Sequence, residues 1–221
     1  MDMQDRLSTE SSLAEQGEYY ALVKKAFDRL APFYDVIALP IARVRDTVVA
    51  FTNAGAGSSI LDVATGTGQQ AFAFAQQGYQ VVGIDLSEAM LGIAIKENKY
   101  ASVQFEVADA THLCFADNSF AVACVSFALH DMPLSIRQKT LKEMVRVTQP
   151  KGLIVVVDYA LPKSRIGNFL IYRLMRLYES DYYARFVNAD LRVLFSHTGI
   201  EIIAECPVLL GAGQVWKGIK V

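Results

Sequence analysis

The sequence predicts an α/β fold: a seven-stranded, mostly parallel sheet with helices on both faces and an antiparallel C-terminal hairpin. Three observations carry that prediction. Short apolar runs alternate with helical stretches between Ser59 and Asp158, the spacing of right-handed crossovers between parallel strands. The first of those runs leads straight into a glycine turn, Ala64-Thr65-Gly66-Thr67-Gly68, which opens a helix. Near the end of the chain, Ile200–Leu210 and Gln214–Val221 are joined only by Gly211-Ala212-Gly213, and so short a connection makes an antiparallel pair.

The elements follow in order. Met1 to Gln16 is polar and acidic, without the basic and then apolar regions of a secretory signal. Tyr19, Tyr20, Val23, Phe27 and Leu30 recur at helical spacing, and Pro32 ends that helix. A second helical stretch is expected from Val36 to Phe51, closed by the turn residues Asn53 to Ser59. Strand character marks Ser59–Val63, Tyr79–Ile84, Val103–Val107, Phe120–Ser126 and Leu153–Asp158. Helices are expected between them at Gly68–Gln77, Ser87–Asn98 and Ser135–Val147, the last with Ser135 and Gln138 in capping-box spacing. An apolar, aromatic segment from Ile166 to Tyr178 carries Arg165, Arg173 and Arg176 within or beside it, and a helix at Ala189–His197 stops at Gly199. The expected organisation is one domain: residues 1–58 a helical cap, 59–162 a cofactor-binding core, 163–221 substrate-side helices and the hairpin.

Composition narrows the function. The 221 residues are 52% hydrophobic, which suits strands buried on both faces. Lys and Arg number 21 against 23 Asp and Glu, so a net charge of −2 excludes a generally basic, phosphate-tracking surface. No stretch approaches the roughly 18 apolar residues of a spanning helix. Cys114, Cys124 and Cys206 form no Cys-x-x-Cys pair and the histidines are isolated, so the expectation is no disulfide framework, no metal and a reduced, cytoplasmic setting. Neither a Gly-x-Ser-x-Gly elbow nor a Walker-type lysine is present.

The glycine turn is the most informative segment. Gly66 and Gly68 lack Cβ, so the backbone can turn tightly and a ligand can lie against its amides. Asp85 closes the next strand, where a carboxylate can accept hydrogen bonds from both ribose hydroxyls of an adenosine. Asp109-Ala110, after the third strand, is placed for the adenine edge. Two cofactors compete for this pattern. Gly66-x-Gly68-x-x-Ala71 with Asp85 satisfies the nicotinamide and flavin fingerprint. Asp62, inside the strand before the turn, suits instead the methionine ammonium of S-adenosylmethionine. The bland alternative is an ordinary strand-to-helix turn without a ligand.

The run from Ile60 to Pro162 resembles a class I S-adenosylmethionine-dependent methyltransferase, most of all the ubiquinone/menaquinone-biosynthesis C-methyltransferases. The matching stretches are Leu61-Asp62-Val63-Ala64-Thr65-Gly66-Thr67-Gly68, Gly83-Ile84-Asp85-Leu86-Ser87-Glu88-Ala89-Met90-Leu91, Asp109-Ala110 and Glu143-Met144-Val145-Arg146-Val147. Gly211-Ala212-Gly213-Gln214-Val215-Trp216 extends the match into the last hairpin. The resemblance implies S-adenosyl-L-methionine as cofactor, with contacts from Tyr34, Asp62, Ala64, Gly66, Thr67, Gly68, Asp85, Leu86, Met90, Asp109, Ala110 and Ser126. Where that group has Phe-Gly-Leu-Arg-Asn, this chain has Phe127-Ala128-Leu129-His130-Asp131.

His130 is the candidate general base, with Asp131 as its orienting partner; the bland reading is a histidine bonded to a loop carbonyl. The aromatic residues Phe169, Tyr172, Tyr178, Tyr182, Tyr183 and Phe186 are expected over the crevice, as a lid or as ordinary core. Ser126-Phe127-Ala128-Leu129 stands where enzymes methylating base amines carry Asn/Asp-Pro-Pro-aromatic, so nucleic acid is not the expected partner. The expected activity is methyl transfer to a small hydrophobic or aromatic acceptor, whether quinone-like, phenolic or lipid, with no integral membrane segment and at most peripheral contact with a lipophilic substrate. A non-catalytic S-adenosylmethionine-binding sensor or partner subunit and a nicotinamide-dependent oxidoreductase are the alternatives.

Overall fold

The computed structural model describes residues 17, 19–21, 23–161 and 181–221. Its centre is one seven-stranded sheet, ordered β3-β2-β1-β4-β5-β7-β6. The strands are β1 (Ser59–Val63), β2 (Gln80–Asp85), β3 (Val103–Val107), β4 (Phe120–Ser126), β5 (Thr148–Tyr159), β6 (Ile200–Val208) and β7 (Gly213–Lys220). All pairings among β1 to β5 are parallel, whereas β7 runs antiparallel to both β5 and β6. The expected mostly parallel sheet with an antiparallel C-terminal pair is what the chain forms.

Alternation along the central strands divides the core into two layers. Leu61, Val63, Ala123, Val125, Ile154 and Val156 face one cluster, and Ile60, Val122, Cys124, Val155 and Val157 the other. Both faces of β1, β4 and β5 are thus covered, which explains why these segments are nearly continuous apolar runs. The sheet order reverses beside β1, whose neighbours β2 and β4 lead to opposite edges. The carboxyl ends of β1 and β4 therefore flank the position where open α/β sheets form a ligand crevice.

Helices near the crevice depart from the sequence expectation in informative ways. The described residues between 17 and 30 are helical (α1). The single helix expected over Val36–Phe51 is instead α2 (Tyr34–Ile37), a 3-10 turn at Leu39–Ile41 and α3 (Val44–Thr52). Pro40 inside that turn has no N–H to continue an α-helical ladder, which explains the break. Next come α4 (Gln69–Gln76) and α5 (Glu88–Glu97), with Ser87 capping α5 by accepting from the Met90 amide. The helix expected to begin with Ser135 starts one residue earlier: α6 spans Leu134–Val147, with Pro133 at its cap position. A proline there fixes the extended entry, which leaves Ser135 in the first turn.

After α7 (Asp181–Val187), α8 (Leu191–His197) ends at Thr198, followed by Gly199 at φ +86°. The aromatic and arginine-bearing stretch expected at Ile166–Tyr178 lies outside the described residues, as does Met1 to Gln16. Among the described residues no helix is long and apolar enough to cross a membrane.

Gly68 fixes how α4 leaves the sheet. Its φ is +79°, and a Cβ built on it would stand 2.6 Å from Phe105 Cζ and 3.0 Å from Ala94 Cβ. A side chain there is penalised by the left-handed backbone, about 1–2 kcal/mol, and by overpacking, about 1–3 kcal/mol. Gly68→Ala should lower the melting temperature by roughly 5–10 °C, at a few degrees per kcal/mol for a chain of this size. An unchanged scanning-calorimetry melt would show that the turn relaxes freely.

Candidate functional site

Two adjoining cavities open at the carboxyl ends of β1, β2 and β4. The larger, about 710 Å³, is lined by residues including Tyr19, Tyr20, Asp85, Asp109, Asp131 and Ile136. The smaller, about 480 Å³, is lined by residues including Arg45, Asp62, Thr67, Gln70 and Ser126. Tyr34, Ala64, Gly66 and Phe127 belong to both and form the junction. Two of these, Ala64 and Phe127, hold left-handed backbone at φ 54° and 50° directly after β1 and β4. Such non-glycine residues cost free energy and are concentrated at ligand sites.

Asp62 sits at the floor of the smaller cavity and is 1% exposed. Its Oδ2 accepts a 2.5 Å hydrogen bond from Thr65 Oγ1, while its Oδ1 has no hydrogen-bond partner. Burial pushes this carboxyl up to about 7; the Thr65 bond opposes that rise and the nearby Asp85 charge adds to it. A buried carboxylate oxygen without a donor is costly unless a ligand supplies one.

Asp85 closes β2 in the larger cavity. It accepts from the Gly66 amide at 2.8 Å and the Ser87 amide at 2.9 Å, so one side chain fixes both the glycine turn and the start of α5. Burial raises its pKa against these two bonds. Gly66, at φ +56°, presents its open side to the Tyr34 ring, with 3.8 Å left between a built Cβ and Tyr34 Cε1. Burial, with the Asp85 charge next, pushes the Tyr34 hydroxyl up to about 12. The adjacent Asp35 ties α2 to the turn, accepting from Thr67 Oγ1 at 2.7 Å and Gln69 Nε2 at 3.3 Å.

The N-terminal helix closes the larger cavity. Tyr20 donates to Asp109 Oδ2 at 2.9 Å, and Ser87 Oγ donates to Asp28 at 2.8 Å. The other Asp109 oxygen accepts from the Thr111 amide and hydroxyl, both at 2.8 Å. Tyr19, Tyr20, Val23 and Phe27 therefore turn their stripe toward the crevice, where sequence periodicity shows only an apolar helix face.

Every cofactor contact expected from the sequence lines one cavity or the other except Gly68, which lies behind the turn against Phe105 and Ala94. His130 also lies behind the wall: it is 4% exposed, while Asp131 beside it lines the larger cavity. Its Nδ1 is 2.7 Å from Oδ1 of Asp158, and its Nε2 is 3.4 Å from Asp131 Oδ2. The strong orienting partner is therefore Asp158, at the end of β5, and not the adjacent Asp131. Arg137 holds the same loop, donating to the carbonyls of Leu129 at 3.0 Å and Met132 at 2.9 Å. Arg45, Gln70, Asp158 and Arg137 escape a sequence reading because no motif spacing links them to the turn.

A protein-family model described as a methyltransferase domain matches residues 60–152. The demethylmenaquinone methyltransferase of Renibacterium salmoninarum is 38% identical over 145 residues, covering 63% of this chain and 60% of that protein. The ubiquinone/menaquinone biosynthesis C-methyltransferase UbiE of Geobacter sulfurreducens is 30% identical over 177 residues, covering 75% of this chain and 67% of that one. The chain belongs to the class I S-adenosylmethionine-dependent methyltransferases, in the UbiE group.

Among solved structures, the putative methyltransferase bound to the Trm112 activator of Haloferax volcanii shares the methyltransferase fold, with TM-score 0.73 at 16% identity over 90% of this chain and 97% of that one. The chain spans about 60% of the first curated relative's length. The residues present in this methyltransferase-family crevice fit S-adenosylmethionine: an unpartnered buried carboxylate oxygen at Asp62 for an ammonium, and an acceptor at Asp85 for hydroxyls. Membership of this family also decides between the two cofactors that the glycine fingerprint left open.

Proposed function

We propose that this chain transfers the methyl group of S-adenosylmethionine to a small apolar, ring-bearing acceptor of the quinol or phenol type. The observation carrying this reading is the junction at Tyr34, Ala64, Gly66 and Phe127, where the smaller cavity meets a larger one walled by Val23, Phe27, Met132 and Ile136. The acceptor class also takes support from the two quinone-pathway relatives. Bound there, the cofactor supplies a methyl group activated on a positively charged sulfur.

In this reading Asp85 accepts the ribose hydroxyls, with Leu86 and Met90 as the apolar wall and Asp109-Ala110 at the base edge. Asp62 Oδ1 takes the methionine ammonium, and Thr67, Ala64, Gly66 and Ser126 line that end. Tyr34 covers the junction, and Gly68 acts only by shaping the turn. Holding the acceptor in line and excluding water can contribute roughly 7–11 kcal/mol to the rate, so strong acid–base machinery is not required. His130 acts on the loop behind the wall and not on the acceptor. The free thiols of Cys114, Cys124 and Cys206 fit a cytoplasmic setting.

Incubation with methyl-labelled cofactor and a panel of quinols, phenols, amines and lipids checks the assignment. The expected result is label in a hydroxylated ring. Tight S-adenosylhomocysteine binding with no transfer across the panel would instead indicate a sensor or partner subunit.

A further inference from the structure

We infer that Arg45 binds the carboxylate of the cofactor's methionine part, so that Asp62 and Arg45 together read the amino-acid end of S-adenosylmethionine as a zwitterion. Arg45 stands in the first turn of α3, three, four and seven residues before Val48, Val49 and Thr52, all of them buried. Those spacings put it on the core-facing stripe of the helix, half-buried, at the edge of the smaller cavity. Such a position normally holds an apolar residue, and a guanidinium drawn away from water is usually paired. Among the described residues this one forms no ion pair, and no hydrogen bond engages its guanidinium. Only its backbone carbonyl is used, accepting from Gln70 Nε2 at 3.5 Å. Burial lowers the pKa of Arg45 and the Asp35 charge opposes that fall, but a guanidinium keeps its charge at neutral pH.

The carboxylates near Arg45 are engaged elsewhere. Asp35 accepts from Thr67 Oγ1 through one oxygen and from Gln69 Nε2 through the other, and Asp62 Oδ2 accepts from Thr65 Oγ1. Two complementary groups on the smaller cavity are thus left for a ligand: the buried Asp62 Oδ1 and the Arg45 fork of donors. A ligand end carrying an ammonium and a carboxylate on one carbon satisfies both at once. The ammonium supplies the donor that Asp62 Oδ1 lacks, and the carboxylate can accept two parallel bonds from the guanidinium. An amine without the carboxylate satisfies Asp62 alone and sets an uncompensated cation beside Arg45. The site is thereby selective for the intact α-amino-acid end of the cofactor. This inference rests on the proposed placement of the ammonium at Asp62.

The test is calorimetric binding of three ligands to the full chain: S-adenosylhomocysteine, its decarboxylated analogue, which keeps the ammonium, and methylthioadenosine, which lacks both charged groups. Wild type should bind S-adenosylhomocysteine at least about tenfold more tightly than the decarboxylated analogue. Arg45→Met, which keeps an apolar stem against α3, should bring that ratio close to one, and Arg45→Lys should leave it between the two. Both ligands carry the same ammonium, so the ratio cancels any effect of the substitution on Asp62. Methylthioadenosine should bind all three proteins within about twofold, a readout that a merely structural role for Arg45 would move. A wild-type ratio near one, a ratio that Arg45→Met leaves unchanged, or a parallel loss of all three ligands in Arg45→Met would overturn the role given to Arg45. Failure of wild type to bind either S-adenosylhomocysteine or methylthioadenosine would instead sink the cofactor site itself. Equal wild-type binding of the decarboxylated analogue and methylthioadenosine would show that no ammonium is held at Asp62, and so overturn the paired reading. Should Arg45→Met fail to fold, Arg45→Lys and Arg45→Gln carry the same ratio.

Discussion

Asp85→Ala is expected to raise the dissociation constant of S-adenosylhomocysteine by at least about 100-fold. Two hydroxyls on one buried carboxylate are charge-assisted hydrogen bonds, each worth about 1.5–3 kcal/mol, and every 1.4 kcal/mol is tenfold in affinity. The structure adds a second loss, because the same carboxylate accepts from the Gly66 and Ser87 amides. Removing it releases the turn that forms the cavity junction, so binding should fall further than the ribose contacts alone require. Asp85→Asn separates the contributions: the amide oxygen can still accept from one backbone N–H, and its binding should lie between alanine and wild type. Isothermal titration of all three proteins decides this, and equal affinities would remove Asp85 from the ribose site.

The second large effect is a pH dependence centred on Asp62. Its pKa in the free protein is about 7, above the ordinary carboxyl value of 3.8, because burial disfavours the anion. An ammonium at Oδ1 needs that anion, so cofactor binding below pH 7 must displace a proton. Affinity should rise roughly tenfold per pH unit from about pH 5 to pH 7 and level off above, with close to one proton released per ligand at the acid end. Titrations in buffers of different ionisation enthalpy measure that proton directly. Asp62→Asn should bind weakly and without this slope; a variant that keeps the slope would place the titrating group elsewhere.

The same shift has a stability consequence of opposite sense. A carboxyl raised in the folded state stabilises the free protein fully below the unfolded value near 4 and loses that contribution as pH rises through about 7. Above pH 7 the free Asp62→Asn variant should therefore be more stable than wild type, by an amount on the order of a few kcal/mol, while binding the cofactor less well. Chemical denaturation at pH 5 and pH 8 reads this difference.

Most of the fold could be read from the chain because local pattern and tertiary role agree. β-branched runs such as Ile60-Leu61-Asp62-Val63 are buried on both faces and bounded by glycine turns, so β1, β3 and β4 fall at their expected residues. The break at Pro40 was harder to foresee, since the apolar spacing continues across a residue that interrupts the helical ladder. The clustering of Asp62, Gly66 and Asp85 was legible for a similar reason: they lie at or just after the ends of β1 and β2, and topology brings strand ends together.

The loop after β4 was not legible in the same way. Asp158 lies at the end of a strand far from His130 in sequence, and only the β4–β5 pairing brings them within 2.7 Å. Adjacent residues point in different directions, which is why Asp131 faces the cavity while His130 faces Asp158. Tyr20 likewise gives no sign in sequence that its hydroxyl reaches Asp109 across 89 residues.

A crystal structure with S-adenosylhomocysteine decides where the cofactor lies. The ribose hydroxyls are expected within hydrogen-bonding distance of Asp85, the amino group within reach of Asp62 Oδ1, and the sulfur at the junction of Tyr34, Gly66 and Phe127, facing the larger cavity. A ligand bound away from the β1 and β2 ends, or reversed so that the amino group lies beside Asp85 and the ribose beside Asp62, would contradict this placement.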